Sequence, residues 1–191
     1  METDLELMLR VARGDEGSFE ELLRRHRAPL TNYFWRMVRD PSLAEDLAQE
    51  VFLRIYQARA RYRPDARFTT WLYRIATNLA LNAIRDRKGE GPRADAEDSE
   101  DGSGPSHLAD SRPNVEQQLM QSDRERLIRQ AVEELPEHQR AAVILHKYQN
   151  VDYQQIAKIL GVSESAVKSL LFRAYESLRT RLEPLLVRGK L

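Results

Sequence analysis

Along most of this chain, apolar residues recur at intervals of three and four, and no stretch alternates as a half-buried strand would. Thr3 is placed to cap a short first helix with Leu5, Leu7, Met8 and Val11 inward, stopped by Gly14. Ser18-Phe19-Glu20-Glu21 has the form of a capping box and opens a second helix. Phe19, Leu22, Leu23, Leu30, Phe34 and Val38 line its buried face, and Pro29 is a candidate kink. Asp40-Pro41, a cap followed by proline at the first helical position, opens a third helix. Its buried stripe is Leu43, Leu47, Val51 (or Phe52) and Ile55. A fourth helix spans about Thr69 to Asp86 with Leu72, Ile75, Ala76, Leu79 and Ala83 inward. These four predict a small helical bundle over residues 1–88.

The periodicity stops at residues 89–113, GEGPRADAEDSEDGSGPSHLADSRP. This stretch is rich in Gly, Pro, Ser and acids and buries too little to offset ordering entropy, so it reads as a flexible acidic linker. Its acidity fits plain solubility, or mimicry of nucleic-acid phosphate in a basic channel. Helical period resumes over residues 114–191. Asn114 is placed to cap a helix running to about Leu135, where Leu135-Pro136 breaks it, and QRAAVILHKY continues as a shorter apolar helix. Asp152 then caps a helix with Ile156, Ala157 and Leu160 inward. Gly161 fits a left-handed turn position, and Ser163 caps a last helix with Val167, Leu170, Leu171, Ala174 and Leu178 inward. The expected fold is therefore all-α: two small helical domains joined by the linker, the second carrying either a helix-turn-helix or an ordinary helical hairpin.

Overall charge is uninformative, with 30 basic and 30 acidic residues among 191, but its distribution is not. Residues 1–88 carry sixteen Arg/Lys against thirteen Asp/Glu, residues 89–113 two against seven, and residues 114–191 twelve against ten. The chain has no cysteine, which removes disulfides, thiolate metal sites and cysteine nucleophiles. No apolar run approaches a membrane span and the acidic N-terminus is unlike a secretory signal, so a soluble, cytoplasmic protein is expected.

The densest chemistry lies in Arg59–Lys88, which sets eight Arg/Lys against two acids with four aromatics interleaved. Cations for phosphate and ring faces for unstacked bases are what single-stranded nucleic acid requires. On the helix, Trp71, Arg74, Asn78, Asn82 and Arg85 form one polar stripe, and an amide offers both donor and acceptor to a base edge. Tyr62 to Phe68, with Arg63 and Arg67, reads as a loop beside it. A solvated face is the competing reading. The third helix shows Glu45, Asp46, Gln49, Glu50, Leu53 and Arg54, either a solvated face or a docking face for a basic helix. The last helix shows Ser165, Lys168, Ser169, Phe172 and Arg173, placed as a recognition helix in the major groove would be. His26, His107, His138 and His146 are scattered, with no metal-ligand spacing, and no phosphate-binding glycine loop or nucleophile elbow occurs. No enzyme chemistry, cofactor or small-molecule substrate is expected.

The motifs AEDLAQEVFLRIY, TWLYRIATN and DYQQIAKILGVSESAVKSLLFRA, in this order, resemble the extracytoplasmic-function (group 4) sigma factors of bacterial RNA polymerase. The resemblance covers about residues 5–88 and 114–184 and implies a region 2 and a region 4, without the family's larger extra regions. It implies that Asp46, Gln49, Glu50, Phe52 and Leu53 dock on core polymerase. It implies a −10 reader made of Tyr62, Arg63, Arg67, Phe68, Trp71, Arg74, Asn78 and Asn82, with a flipped base read by Asn78. It implies a −35 reader made of Lys168, Ser169, Phe172 and Arg173, to which Ser165 belongs by its place on the same face. The implied partners are core polymerase, promoter DNA and an anti-sigma factor. A rival reading keeps residues 114–191 as an autonomous DNA-binding regulator, with residues 1–88 as its sensor or dimerisation domain.

Overall fold

The computed structural model describes residues 2–64, 67–89 and 115–187. Among these residues there is no strand. The helices are α1 (Asp4–Val11), α2 (Glu16–Val38), α3 (Pro41–Ala58), α4 (Phe68–Gly89), α5 (Val115–Glu133), α6 (Glu137–Tyr148), α7 (Tyr153–Leu160) and α8 (Glu164–Val187), with a 3₁₀ turn at Arg59–Arg61 after α3. The all-α expectation holds. The expected linker, beyond Gly89, and the Asn114 cap lie outside the described residues.

Helix starts follow capping chemistry. Thr3 accepts the Glu6 amide while the Glu6 carboxylate takes the Thr3 amide, a complete capping box. Asp40 accepts the Leu43 amide at 2.9 Å and Pro41 follows it. Asp152 does the same for Gln155 at 2.8 Å. The expected cap at Ser18 is corrected: Asp15 caps α2, and Ser18 is a buried first-turn residue whose amide and hydroxyl both donate to Asp15. A carboxylate three residues earlier outcompetes the hydroxyl because it accepts both bonds at once and favours the helix N-terminus electrostatically. Pro29 sits inside α2, which runs unbroken from Glu16 to Val38.

Three helix faces differ in detail from the expected stripes. In α3 the buried line is Ala44, Ala48, Val51, Phe52 and Ile55, while Leu43 and Leu47 are only half-buried. Small residues let α3 approach α2 closely, and the leucines flank the contact. Leu5 of α1 is exposed, whereas Leu7, Met8 and Val11 are buried. In α7, Ile159 joins Ile156 and Ala157 inside, displacing Leu160 to half-burial.

The helices α1–α4 form one group and α5–α8 another, yet their buried side chains form one continuous cluster. α6 packs on α2 and α7 lies along α4. The turn between α7 and α8 is the helix-turn-helix corner. Gly161 has φ of +68° and its amide returns to the Ala157 carbonyl. A β-carbon added there would meet nothing within 4 Å, so substitution strains only the backbone. Gly161→Ala is therefore expected to destabilise the fold by about 1 kcal/mol, the left-handed cost for an L-residue, read as a lower urea midpoint at unchanged slope.

Candidate nucleic-acid interface

The basic-aromatic stretch is positioned by a stack of rings. Tyr62 lies against Trp71 with centroids 5.2 Å apart, Trp71 meets Phe68 edge-on at 6.3 Å, and Phe68 meets His26 of α2 at 5.3 Å. His26 is fixed by Asp4 at 2.8 Å, so α1 and α2 together brace the loop from behind. The Arg67 carbonyl accepts the Thr70 and Trp71 amides and starts α4. Burial pushes the ionisation of the Tyr62 hydroxyl upward, with the Asp4 carboxylate adding to it.

α4 then divides cleanly. Thr70, Leu72, Tyr73, Ala76, Thr77, Leu79 and Ala80 are buried. Arg74, Asn78 and Asn82 are exposed on the other side, next to half-buried Trp71. The helix is held in this rotation by a buried bond between the Tyr33 and Thr77 hydroxyls at 2.8 Å. Asn82 accepts from Arg85 at 3.0 Å. No such bond among the described residues holds Asn78. The structure thus brings Tyr62, Trp71, Arg74, Asn78 and Asn82 to one surface, with exposed Arg63 and Arg67 at its loop edge. Phe68, expected as part of the wall, is 2% exposed and anchors the loop instead. Sequence reasoning missed Tyr33, His26 and Asp4. Tyr33 carries a signal after the fact, since it falls on the α2 stripe between Leu30 and Phe34.

At the other end, Ser163 caps α8 through the Ala166 amide at 3.2 Å. Lys168 pairs loosely with Glu164 at 3.1 Å, and the Ser169 hydroxyl donates to the Ser165 carbonyl at 3.1 Å. Lys168, Ser169, Phe172 and Arg173 line a shallow depression. Phe172 is 69% exposed, an apolar ring left in water on an otherwise polar face. Phe172→Ala is expected to change stability by less than about 0.5 kcal/mol while weakening duplex binding by the assembly with core polymerase, measured by thermal unfolding of the chain and a fluorescence-anisotropy titration of that assembly against labelled duplex.

A third surface lies on α3. Asp46 and Gln49 are exposed, Glu50 pairs with Arg54 at 2.7 Å, and Leu53 is 51% exposed. Phe52, expected on this surface, is buried. It forms the floor of an apolar groove of about 330 Å³ lined by Glu16, Phe19, Glu20, Phe52, Leu53 and Tyr56. Phe19 meets Tyr56 at 5.0 Å and Phe52 at 6.4 Å. The sequence reading had Phe19 only as core and omitted the α2 acids of the rim.

A helix-turn-helix with an exposed recognition face, packed beside a bundle whose basic-aromatic helix shows amides to solvent, defines a DNA-reading protein of the all-helical class. Known families agree and narrow the class. Sigma-70 region 2 matches residues 22–90 and Sigma-70 region 4 matches residues 125–178. The chain is 35% identical to the RNA polymerase sigma-H factor of Pseudomonas aeruginosa over 97% of its own length and 96% of that protein's. It is 31% identical to the ECF RNA polymerase sigma-E factor of Escherichia coli K12, covering 97% of each. Its fold is shared with CnrH in complex with the cytosolic domain of CnrY, at a TM-score of 0.68 and 22% identity, covering 96% of this chain and 99% of that one. The chain belongs to the sigma-70 family, in its extracytoplasmic-function branch, and is an RNA polymerase sigma factor directing promoter-specific initiation. Among the described residues no helix is long and apolar enough to cross a membrane, and no cluster of His, Asp or Glu is placed to hold a metal ion.

Proposed function

We propose that residues 1–88 dock on core polymerase and open the −10 element, while residues 114–191 grip the −35 element as duplex. The observation that carries this is the sorting of α4. Every large apolar side chain faces inward or sideways, and the outer face offers one free amide between an arginine and a second amide, beside a tryptophan ring. An unstacked base fits that combination: it stacks on the ring and pairs with the amide. Unpairing costs on the order of a few kcal/mol per flipped base, and stacking returns about 1–3. Capture therefore offsets the opening without any catalytic step by this chain.

Docking falls to the α3 surface, with Asp46, Gln49 and Leu53 exposed, Glu50 half-buried and paired with Arg54, and Phe52 beneath them. Its acidic residues and single exposed leucine complement a basic amphipathic helix on core polymerase. An anti-sigma factor is the remaining partner; the solved fold neighbours include a sigma factor bound to the anti-sigma factor NepR in Bartonella quintana. The action takes place wherever core polymerase is, in the cytoplasm.

Run-off transcription with core polymerase over a library randomised at both elements tests this reading. Enrichment at both positions, with little DNA shift by the chain alone at physiological salt, is the expected result. Strong, sequence-specific binding without core polymerase would instead favour the autonomous regulator.

A further inference from the structure

Five side chains from four segments close a circuit behind the base-reading surface: Asp4 opens α1, His26 lies midway along α2, Tyr62 follows the 3₁₀ turn, and Phe68 and Trp71 start α4. The Asp4 carboxylate only accepts, so the His26 Nε2–H donates to its Oδ2 at 2.8 Å and the imidazole is fixed in rotation. That ring lies tilted against Phe68, Phe68 meets Trp71 edge-on, and Trp71 lies against Tyr62. The circuit returns to Asp4: burial first, and then the Asp4 charge, push the ionisation of the Tyr62 hydroxyl upward. Among the described residues that hydroxyl is buried and has no hydrogen-bond partner. No bond of its own fixes the Tyr62 ring, so its neighbours must.

The two oxygens of Asp4 have separate tasks. Oδ1 accepts from Arg25 at 3.1 Å, and Arg25 also donates to the Glu2 carbonyl at 2.8 Å and to Glu21 at 2.7 Å. These bonds hold α1 on α2, as do buried Leu7, Met8 and Val11. Docking of α1 is thus secured without Oδ2, which serves His26 and, through it, the rings. The His26 side chain is 14% exposed, so its bond to Asp4 is sheltered from competing water. Phe68 is buried, whereas Trp71 and Tyr62 are half-buried and reach the surface. A ring at the surface stacks reproducibly on a partner only where its own orientation is locked from behind.

We propose that Asp4 is a positioning residue for base capture: through His26 and Phe68 it fixes the Trp71 ring against which the unstacked base lies, so α1 takes part in promoter opening without touching DNA. The inference rests on the base-capture reading above.

Tryptophan occurs only at positions 35 and 71, so fluorotryptophan labelling of the full chain gives two fluorine NMR resonances, and Trp71→Phe assigns them. Asp4→Ala should move or broaden the Trp71 resonance and leave that of Trp35 in place. With core polymerase on a promoter it should form about fivefold fewer open complexes at unchanged core affinity, the low end of what one stacked ring contributes per base. His26→Phe keeps a ring against Phe68 and leaves the Arg25 contact intact. It should show both effects, and it carries the test if Asp4→Ala fails to fold. Arg25→Gln breaks the docking bonds but leaves Oδ2 on His26, so the Trp71 resonance and promoter opening should stay as they are. An equal defect in Arg25→Gln would make Asp4 a plain clamp on α1 and overturn the proposal. An unmoved Trp71 resonance, or unchanged opening, in either folded variant of Asp4 or His26 overturns it too. Trp71→Ala separates failure of the underlying reading. If that variant opens the promoter normally, no base stacks there and the proposal falls with the reading. If it does not, while the Asp4 and His26 variants do, only the positioning role falls.

Discussion

Replacing Asn78 by alanine is expected to cut open-complex formation by at least about fivefold while leaving core polymerase affinity unchanged. Asn78 is exposed on α4 between Arg74 and Asn82, above a face that is wholly buried. An amide paired with a base edge in a defined geometry contributes about 1–3 kcal/mol of discrimination. The lower end of that range is already about fivefold, and the upper end exceeds about a hundredfold. Loss of stability cannot mimic the defect, because alanine is the better helix former by several tenths of a kcal/mol and the side chain has no bond to lose among the described residues. The variant should therefore unfold at the same urea concentration or slightly higher. Potassium permanganate footprinting of the −10 region reports the opening, and anisotropy of labelled protein against core polymerase reports docking. A parallel fall in core affinity would show that this face packs on polymerase instead of reading a base. Asn78→Asp sharpens the test: it keeps the shape but exchanges the donor for charge, so the base preference should shift as well as weaken.

How much of this was legible beforehand depends on where the controlling partner sits in the chain. The α4 division into a buried line and a polar line follows from spacing alone, because both lines lie within one helix. The caps at Thr3, Asp40, Asp152 and Ser163 were legible for the same reason: donor and acceptor are three residues apart. Ser18 misled because Asp15, three residues earlier, satisfies the same rule, and only geometry shows that Asp15 takes the bonds. Phe52 and Phe68 were assigned to surfaces from family resemblance, yet both lie inside, as the floor of a groove and the anchor of a loop. An aromatic ring next to a binding surface contributes to it from beneath as readily as from above, and spacing does not tell the two apart. The contacts between the two helical groups were not legible at all. Arg36, Arg39 and Lys88 read as ordinary surface bases because their partners Tyr148, Glu133 and Glu137 lie far along the chain, across the acidic stretch.

The largest stability effect is expected at Arg140, where that long-range information is concentrated. Its guanidinium donates to the Met37 carbonyl at 2.9 Å, to the Glu133 carbonyl and to the Leu135 carbonyl at 3.3 Å. Met37 lies at the end of α2 and Glu133 ends α5, so one side chain serves the open carbonyls of two helix C-termini, one from each group. Those termini carry partial negative charge, which suits a fixed cation. Burial pushes the Arg140 ionisation down from its ordinary value, with Glu133 and Glu137 opposing, but a guanidinium stays protonated in a folded protein. Arg140→Ala leaves three carbonyls without a donor in a half-buried place. Bonds to charged groups contribute about 1.5–3 kcal/mol each and water recovers part of them, so a loss of about 2–4 kcal/mol is expected. Arg140→Lys should recover less than half, because an ammonium is compact and cannot span two helix ends as a planar fork does. Urea unfolding with far-ultraviolet circular dichroism measures both. Full recovery by lysine would mean that charge alone matters and that the fork geometry is incidental.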